Sequence, residues 1–163
     1  MKQILVVSDT HGRNSVHQEL RTLYPNVEAY LHCGDSESPS DQLDGFVSVK
    51  GNNDIYFDYP MQVILDIEGI RVLLIHGHQY PAYHMTERLI QKAKEENCQL
   101  VLHGHSHIFK VEREEGITLV CPGSIHHNRD ASLPTYAVVG IDKGEITVER
   151  KEYPWPEKKR KWF

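Results

Sequence analysis

The chain has 163 residues, 39% of them hydrophobic and 25% charged, an ordinary soluble globular composition that fits one domain with one sizeable core. Its net charge of −5 with neutral histidines argues against a duplex nucleic-acid binder with a broad basic face, yet allows an anionic substrate held through metal ions. Cys33, Cys98 and Cys121 are odd in number and show no CxxC spacing, which speaks against a disulfide framework or thiolate zinc site and points to a reducing compartment.

The opening stretch MKQILVVSDT has only four consecutive apolar residues before Ser8 and Asp9. That is too short for a signal-peptide core or a membrane span, so a cytoplasmic location without membrane contact is expected. Residues 4–7 are β-branched-rich and predict a buried strand. Asn14 or Ser15 then caps a helix with Val16, Leu20 and Leu23 on one face. Short strands follow over 29–31, before HCGD, and over 46–49, before KGNND. Residues 62–67 and 71–75 flank Gly69 and predict a hairpin. Met85, Leu89 and Ala93 recur every four residues and mark a helix to about Asn97, and 100–102 is the next strand. After HGHSH the pattern changes to short strands over 109–113, 117–120, 136–141 and 145–150, joined by glycine-containing turns. An α/β first part and a β-rich last third fit a layered sandwich with two facing sheets. Residues 1–163 are expected to form a single domain. Residues 152–163, rich in proline, aromatics and lysine, read as a surface tail, with a homo-oligomer contact as the sharper alternative.

The strand ends share a chemistry. ILVVSDTHG ends in Asp9 and His11, AYLHCGD in Asp35, and VSVKGNND in Asn52. RVLLIHGH ends in His76, and LVLHGHSH in His103 and His105. Each apolar run finishes at a glycine beside side chains able to bind a metal. Ligand sites of open α/β sheets lie outside the carboxyl ends of strands, so strands of shared orientation would bring these groups to one edge. Taken singly, each piece has a plainer reading. Asp9 could form a turn or cap a helix, Asp35 could close an Asx turn, GNND could be a hairpin tip, and His76 could be a satisfied buried histidine. As a set, the seven side chains give eight donor positions if one carboxylate bridges, four for each of two ions. A nitrogen and oxygen set without thiolate suits Mn, Fe, Co, Ni or Zn better than Mg or Ca alone. Two such ions can clamp a phosphoryl group and activate water.

The ordered series D-x-H, G-D, G-N-x-D, H-G-H and G-H-x-H resembles the calcineurin-like metallophosphoesterases. GNND and PGS (residues 122–124) resemble their small YfcE-like phosphodiesterase branch. The resemblance implies an α/β fold, a four-layer α/β/β/α sandwich of two facing mixed sheets flanked by helices. It implies that Asp9, His11, Asp35 and His105 hold one divalent ion, and that Asp35, Asn52, His76 and His103 hold the other, with Asp35 bridging. Manganese is the usual metal of such relatives. The activity implied is hydrolysis of small phosphodiesters by a metal-bridging hydroxide.

Asn53 stands where many larger relatives carry a proton-donating histidine. An amide is no practical general acid, so leaving groups of low pKa are favoured. Asn53 and Asp54 are the candidate catalytic residues. Asn53 is expected to hydrogen-bond the substrate phosphate. Asp54 is expected either to orient a metal-binding histidine or to stabilise its turn. His78, His107, His126 and His127 are candidates for the pocket lining, each with a solvated-loop alternative, and Arg129 is a candidate to reach an anionic substrate, with an exposed salt bridge as its alternative. A second departure is Cys121 before PGS, where relatives often have asparagine, and its plainer reading is a small buried residue. Rival readings are a phosphomonoesterase on the same site, a nuclease, for which no basic groove is advertised, and a non-enzymatic scaffold on this fold, against which the retained ligand set argues.

Overall fold

A computed structural model describes residues 1–153. In chain order the elements are β1 (Lys2–Val7), α1 (Ser15–Leu23), β2 (Ala29–His32), β3 (Val47–Ser48), β4 (Gln62–Ile67) and β5 (Ile70–Ile75). Then come α2 (Met85–Glu95), β6 (Leu100–Leu102), β7 (Phe109–Glu114), β8 (Ile117–Pro122), β9 (Thr135–Asp142) and β10 (Glu145–Glu152). One sheet has the order β10-β9-β1-β2-β3 and the other β4-β5-β6-β8-β7. In the first, β1, β2 and β3 are parallel neighbours; in the second, β5, β6 and β8 are. The remaining pairings are antiparallel, so both sheets are mixed.

Strand alternation sorts the apolar side chains into three layers, because successive residues face opposite sides of a sheet. Ile4 and Val6 of β1 meet Leu31, Val72, Leu74, Leu102, Val120 and Val139 between the sheets. Leu5 and Val7 face outward and pack under α1 with Val16 and Leu20. On the other side, Leu73, Ile75, Val101 and Leu119 pack under α2 with Met85, Leu89 and Ala93. The result is a four-layer α/β/β/α sandwich. The central strands are buried on both faces, which is why they read as continuous apolar runs rather than alternating ones.

Several local expectations change. Leu23 is 65% exposed instead of packing with Val16 and Leu20. The helix ends there, Tyr24 leaves helical conformation, and Tyr24 itself joins the apolar layer. Asn14 sits at the cap position, but its amide donates to Ser38 Oγ and Gln42 Oε1, tying α1 to a neighbouring loop. The third strand shortens to two residues. The hairpin turn is Glu68–Gly69, with φ of +50° and +81°, the doubly left-handed conformation that matches strand twist. At the C-terminal end, β10 runs on to Glu152, which pairs with Thr135, and Tyr153 is buried under the α1 layer. The rest of the expected tail lies outside the described residues.

Candidate metal centre

All six strands with parallel neighbours end at the same edge, and the loops that follow them are tied together by main-chain bonds. Asp9 N–H donates to Gly34 O at 3.0 Å, His11 N–H to Asp35 O at 3.1 Å and Gly12 N–H to Ser36 O at 2.8 Å, which extends the pairing of β1 and β2 into their loops. In the loops that follow the second sheet's strands, Gly104 N–H donates to His76 O at 3.1 Å, and Arg129 N–H to His107 O at 3.0 Å. Ser124 Oγ donates to Asp9 O at 2.9 Å and accepts from the N–H groups of His126 and His127, at 3.0 and 2.8 Å. The loops approach so closely that two glycines are obligatory. A Cβ on Gly51 would lie 2.1 Å from Asp35 Oδ1, and one on Gly104 would lie 2.2 Å from Ser8 Oγ. Asp9, His11, Asp35, His105 and His107 all have positive φ, between +47° and +76°. Strain of this kind clusters at sites where side-chain aim matters more than local comfort.

Asp35 is the centre of the arrangement. Its Oδ1 accepts Asn53 N–H at 2.8 Å, and its Oδ2 accepts the Asn53 amide at 3.1 Å. His76 Nε2 stands 3.4 Å from Asp35 Oδ2, 3.9 Å from Asp9 Oδ1 and 3.1 Å from Asn52 Oδ1. His105 Nδ1 lies 3.2 Å from the same Asn52 oxygen, and its ring centroid is 5.2 Å from that of His76. On the other side of Asp9, His107 Nε2 is 3.2 Å from Oδ1, and the rings of His11 and His107 are 5.3 Å apart. Ser8 Oγ donates to Asp9 Oδ2 at 2.7 Å, whereas Asp9 Oδ1 is buried without a hydrogen-bond partner. In two trios, Asp9–His11–His107 and Asp9–Asp35–His76, the ligand-capable atoms all lie within 4.8 Å of one another.

The histidine partners decide what these atoms can accept. His76 Nδ1 donates to Cys33 O at 2.7 Å and His107 Nδ1 to His127 O at 3.1 Å. A neutral imidazole has only one N–H. With Nδ1 as the donor, a neutral ring at either position turns an Nε2 lone pair toward carboxylate oxygens, an arrangement that positive charge between them stabilises. The field follows suit. Burial opposes ionisation of Asp35, but His76, the Asn53 N–H and His11 outweigh it and hold the carboxyl below its usual range. Burial likewise opposes charge on His76, and Asp35, Asp9 and the Cys33 carbonyl outweigh it and raise its pKa. An environment that favours a proton on Nε2 favours a divalent cation in its place. Burial pushes the Cys121 thiol up to about 11 and raises Cys33 well above its ordinary value, so both are neutral thiols here.

Of the seven side chains singled out in the sequence, Asp9, His11, Asp35, Asn52, His76 and His105 meet here. His103 joins neither trio. Its N–H donates to Val120 O, prolonging the β6–β8 ladder, and its ring is buried, where burial depresses its pKa to about 4 against the Gly104 main chain, with Glu112, His76 and Lys110 as further charges that reach it. His107 takes the place beside Asp9 and His11 that was expected for His105, and His105 takes the place beside Asn52 and His76 that was expected for His103. The signal was present in G-H-x-H itself, whose histidines are His105 and His107. Asp54 resolves in favour of the turn. Its carboxylate accepts from Asp35 N and Gly51 N through Oδ2 and from Glu37 N through Oδ1, all at 2.8 Å. Asn53 donates its main-chain N–H and one side-chain amide N–H to Asp35. His78, with its ring 5.4 Å from His76, and His126, 5.7 Å from His11, border the cluster.

A profile of the calcineurin-like phosphoesterase superfamily domain matches residues 1–144. The chain belongs to that superfamily. A probable metallophosphoesterase of Mycoplasma pneumoniae is 33% identical over 153 residues, covering 90% of this chain and 94% of the relative. The crystal structure of a predicted phosphoesterase from Streptococcus pneumoniae superposes with a TM-score of 0.86 at 32% identity, over 94% of each chain. An archaeal phosphodiesterase shares the fold, with a TM-score of 0.70 at 20% identity over 91% of this chain and 99% of that one. Membership in the superfamily implies divalent metal ions, and the imidazoles, carboxylates and amide gathered around Asp35 are donors that suit them. Among the described residues, no helix of this metallophosphoesterase is long and apolar enough to cross a membrane.

Proposed function

We propose that the protein hydrolyses small phosphodiesters at a centre of two divalent cations, with manganese as the resident metal. Asp9, His11, Asp35 and His107 would hold one ion and Asp35, Asn52, His76 and His105 the other, with Asp35 shared. The observation that carries the reading is the pair of Nε2 faces, on His76 and His107, turned against Asp35 and Asp9 while their Nδ1 atoms are committed to main-chain carbonyls. Two cations bound there supply charge neutralisation at the phosphate oxygens and a water acidic enough to serve as nucleophile near neutral pH.

The chain's own residues do the positioning. Ser8 takes one oxygen of Asp9 and leaves the other facing the site. Asn53 grips both oxygens of Asp35 and sets the plane of the shared carboxylate. Asp54 fixes the loops that carry both. With an amide in place of an acid at Asn53, good leaving groups such as aryl alcohols are the expected substrates of choice. The proposal includes a single domain and a cytoplasmic location, supported by three buried, unpaired cysteines.

The test is turnover of an aryl phosphodiester and an aryl phosphomonoester by metal-stripped protein with Mn²⁺ added back. Diester turnover restored by Mn²⁺, and lost together with one bound ion in Asp35→Asn, is the expected result. Full activity in the stripped protein, or in Asp35→Asn, refutes the two-ion centre, and preferential monoester turnover refutes the diester assignment.

A further inference from the structure

Glu37 lies in a short run of small and acidic residues, SES, that reads in sequence as a solvated loop. Its carboxylate instead hydrogen-bonds Nδ1 of His11. The main chain holds it there. Glu37 has φ of +55°, a conformation glutamate rarely adopts, and its N–H is fixed on Asp54 Oδ1 at 2.8 Å. The side chain is 40% exposed, so burial is not what keeps it in place. On the far side of the imidazole, His11 Nε2 is buried without a hydrogen-bond partner, and a ring nitrogen of His11 lies within 4.8 Å of ligand atoms of Asp9 and His107.

We infer that Glu37 is a positioning residue that sets the tautomer and aim of His11 toward a divalent cation shared with Asp9 and His107. The inference rests on the two-cation reading above. With the single N–H of a neutral ring donated to Glu37, the Nε2 lone pair faces Asp9 and His107. An anionic acceptor also makes the ring a stronger donor to a metal, as outer carboxylates do for metal-binding histidines generally. His76 and His107 rest on neutral carbonyls, of Cys33 and His127. Of these three rings, His11 alone has a carboxylate behind it, which makes the two cation positions unequal by construction.

The test has a spectroscopic arm and a binding arm. In metal-stripped protein at mildly alkaline pH, long-range ¹⁵N–¹H correlation of the histidine rings should show His11 as the Nδ1–H tautomer, changing to Nε2–H in Glu37→Ala. Calorimetric titration with Mn²⁺ should show one of two binding steps weakened about 10- to 100-fold in Glu37→Ala and the other unchanged. Glu37→Gln, whose Oε1 can still accept the Nδ1 proton, should restore the tautomer and most of the affinity. Equal melting temperatures of the stripped wild type and Glu37→Ala separate this effect from loss of fold. The inference is overturned if wild-type His11 carries its proton on Nε2, if Glu37→Ala binds two ions as tightly as wild type, or if Glu37→Gln binds no better than Glu37→Ala. Failure of the wild type to bind Mn²⁺ at all brings down the two-cation reading as well, whereas wild-type binding of two ions with Glu37→Ala unaltered brings down the Glu37 role alone.

Discussion

Asp54 is fully buried and its three main-chain donors belong to two loops. Replacing it by alanine strands buried N–H groups and should cost about 3 kcal/mol or more of stability, read as a lowered urea midpoint of the metal-free protein. A loss under about 1 kcal/mol would mean that water or relaxation replaces the carboxylate. His107→Ala should lose one of two bound metal ions, and His103→Leu, which exchanges a buried ring for an apolar side chain, should keep both; elemental analysis of the purified variants decides. The contrast between these histidines also marks where sequence reasoning stops. Asp9, His11, Asp35, Asn52 and His76 are legible because they follow the ends of four separate apolar runs. Along HGHSH the chain gives no such cue. Whether His103 belongs to the strand or to the site depends on its ladder bond to Val120, a partner distant in sequence. Glu37 was not legible, since nothing local separates it from a solvated acid.

At the level of elements, most strands follow from apolar runs between turn residues, and the hairpins from glycines between strands. The helix α1 shows the limit of periodicity: the four- and three-residue spacing includes Leu23, but the helix ends there and Tyr24 packs instead. Register between sheets is likewise invisible in a pattern of runs, because it is set by contacts such as Gly104 against Ser8. Gly104→Ala tests that contact. Its methyl group would lie 2.2 Å from Ser8 Oγ and 3.2 Å from Asp9 Oδ2, forcing the β1 and β6 loops apart. The expected outcome is loss of about 1–3 kcal/mol of stability together with weaker metal binding. A variant that binds both ions at wild-type affinity would show that the loops can shift without disturbing Asp9.

The whole sandwich carries a pH dependence through histidines buried neutral. His17 lies under α1 against Phe46 and His32, with ring centroids 5.0 and 5.6 Å away. Burial lowers its pKa from the ordinary 6.5 to about 4, partly offset by the Asn14 carbonyl and Asp44. The unfolded chain therefore takes up this proton first as pH falls. The contribution is complete above about pH 6.5, declines as pH drops toward 4, and amounts to about 3 kcal/mol across that window. Urea midpoints of stripped wild type and His17→Phe, measured across the window, should show the wild type losing stability relative to the variant as pH falls, because the variant lacks this slope; parallel curves would discount His17. The zippered loops at the site edge carry a mechanical consequence too. Asp9 and Asp35 hang from one sheet and His76, His105 and His107 from the other, so a cation gripped among them is a clasp across the two halves of the fold. Chelation should let that rim breathe while the opposite rim stays shut.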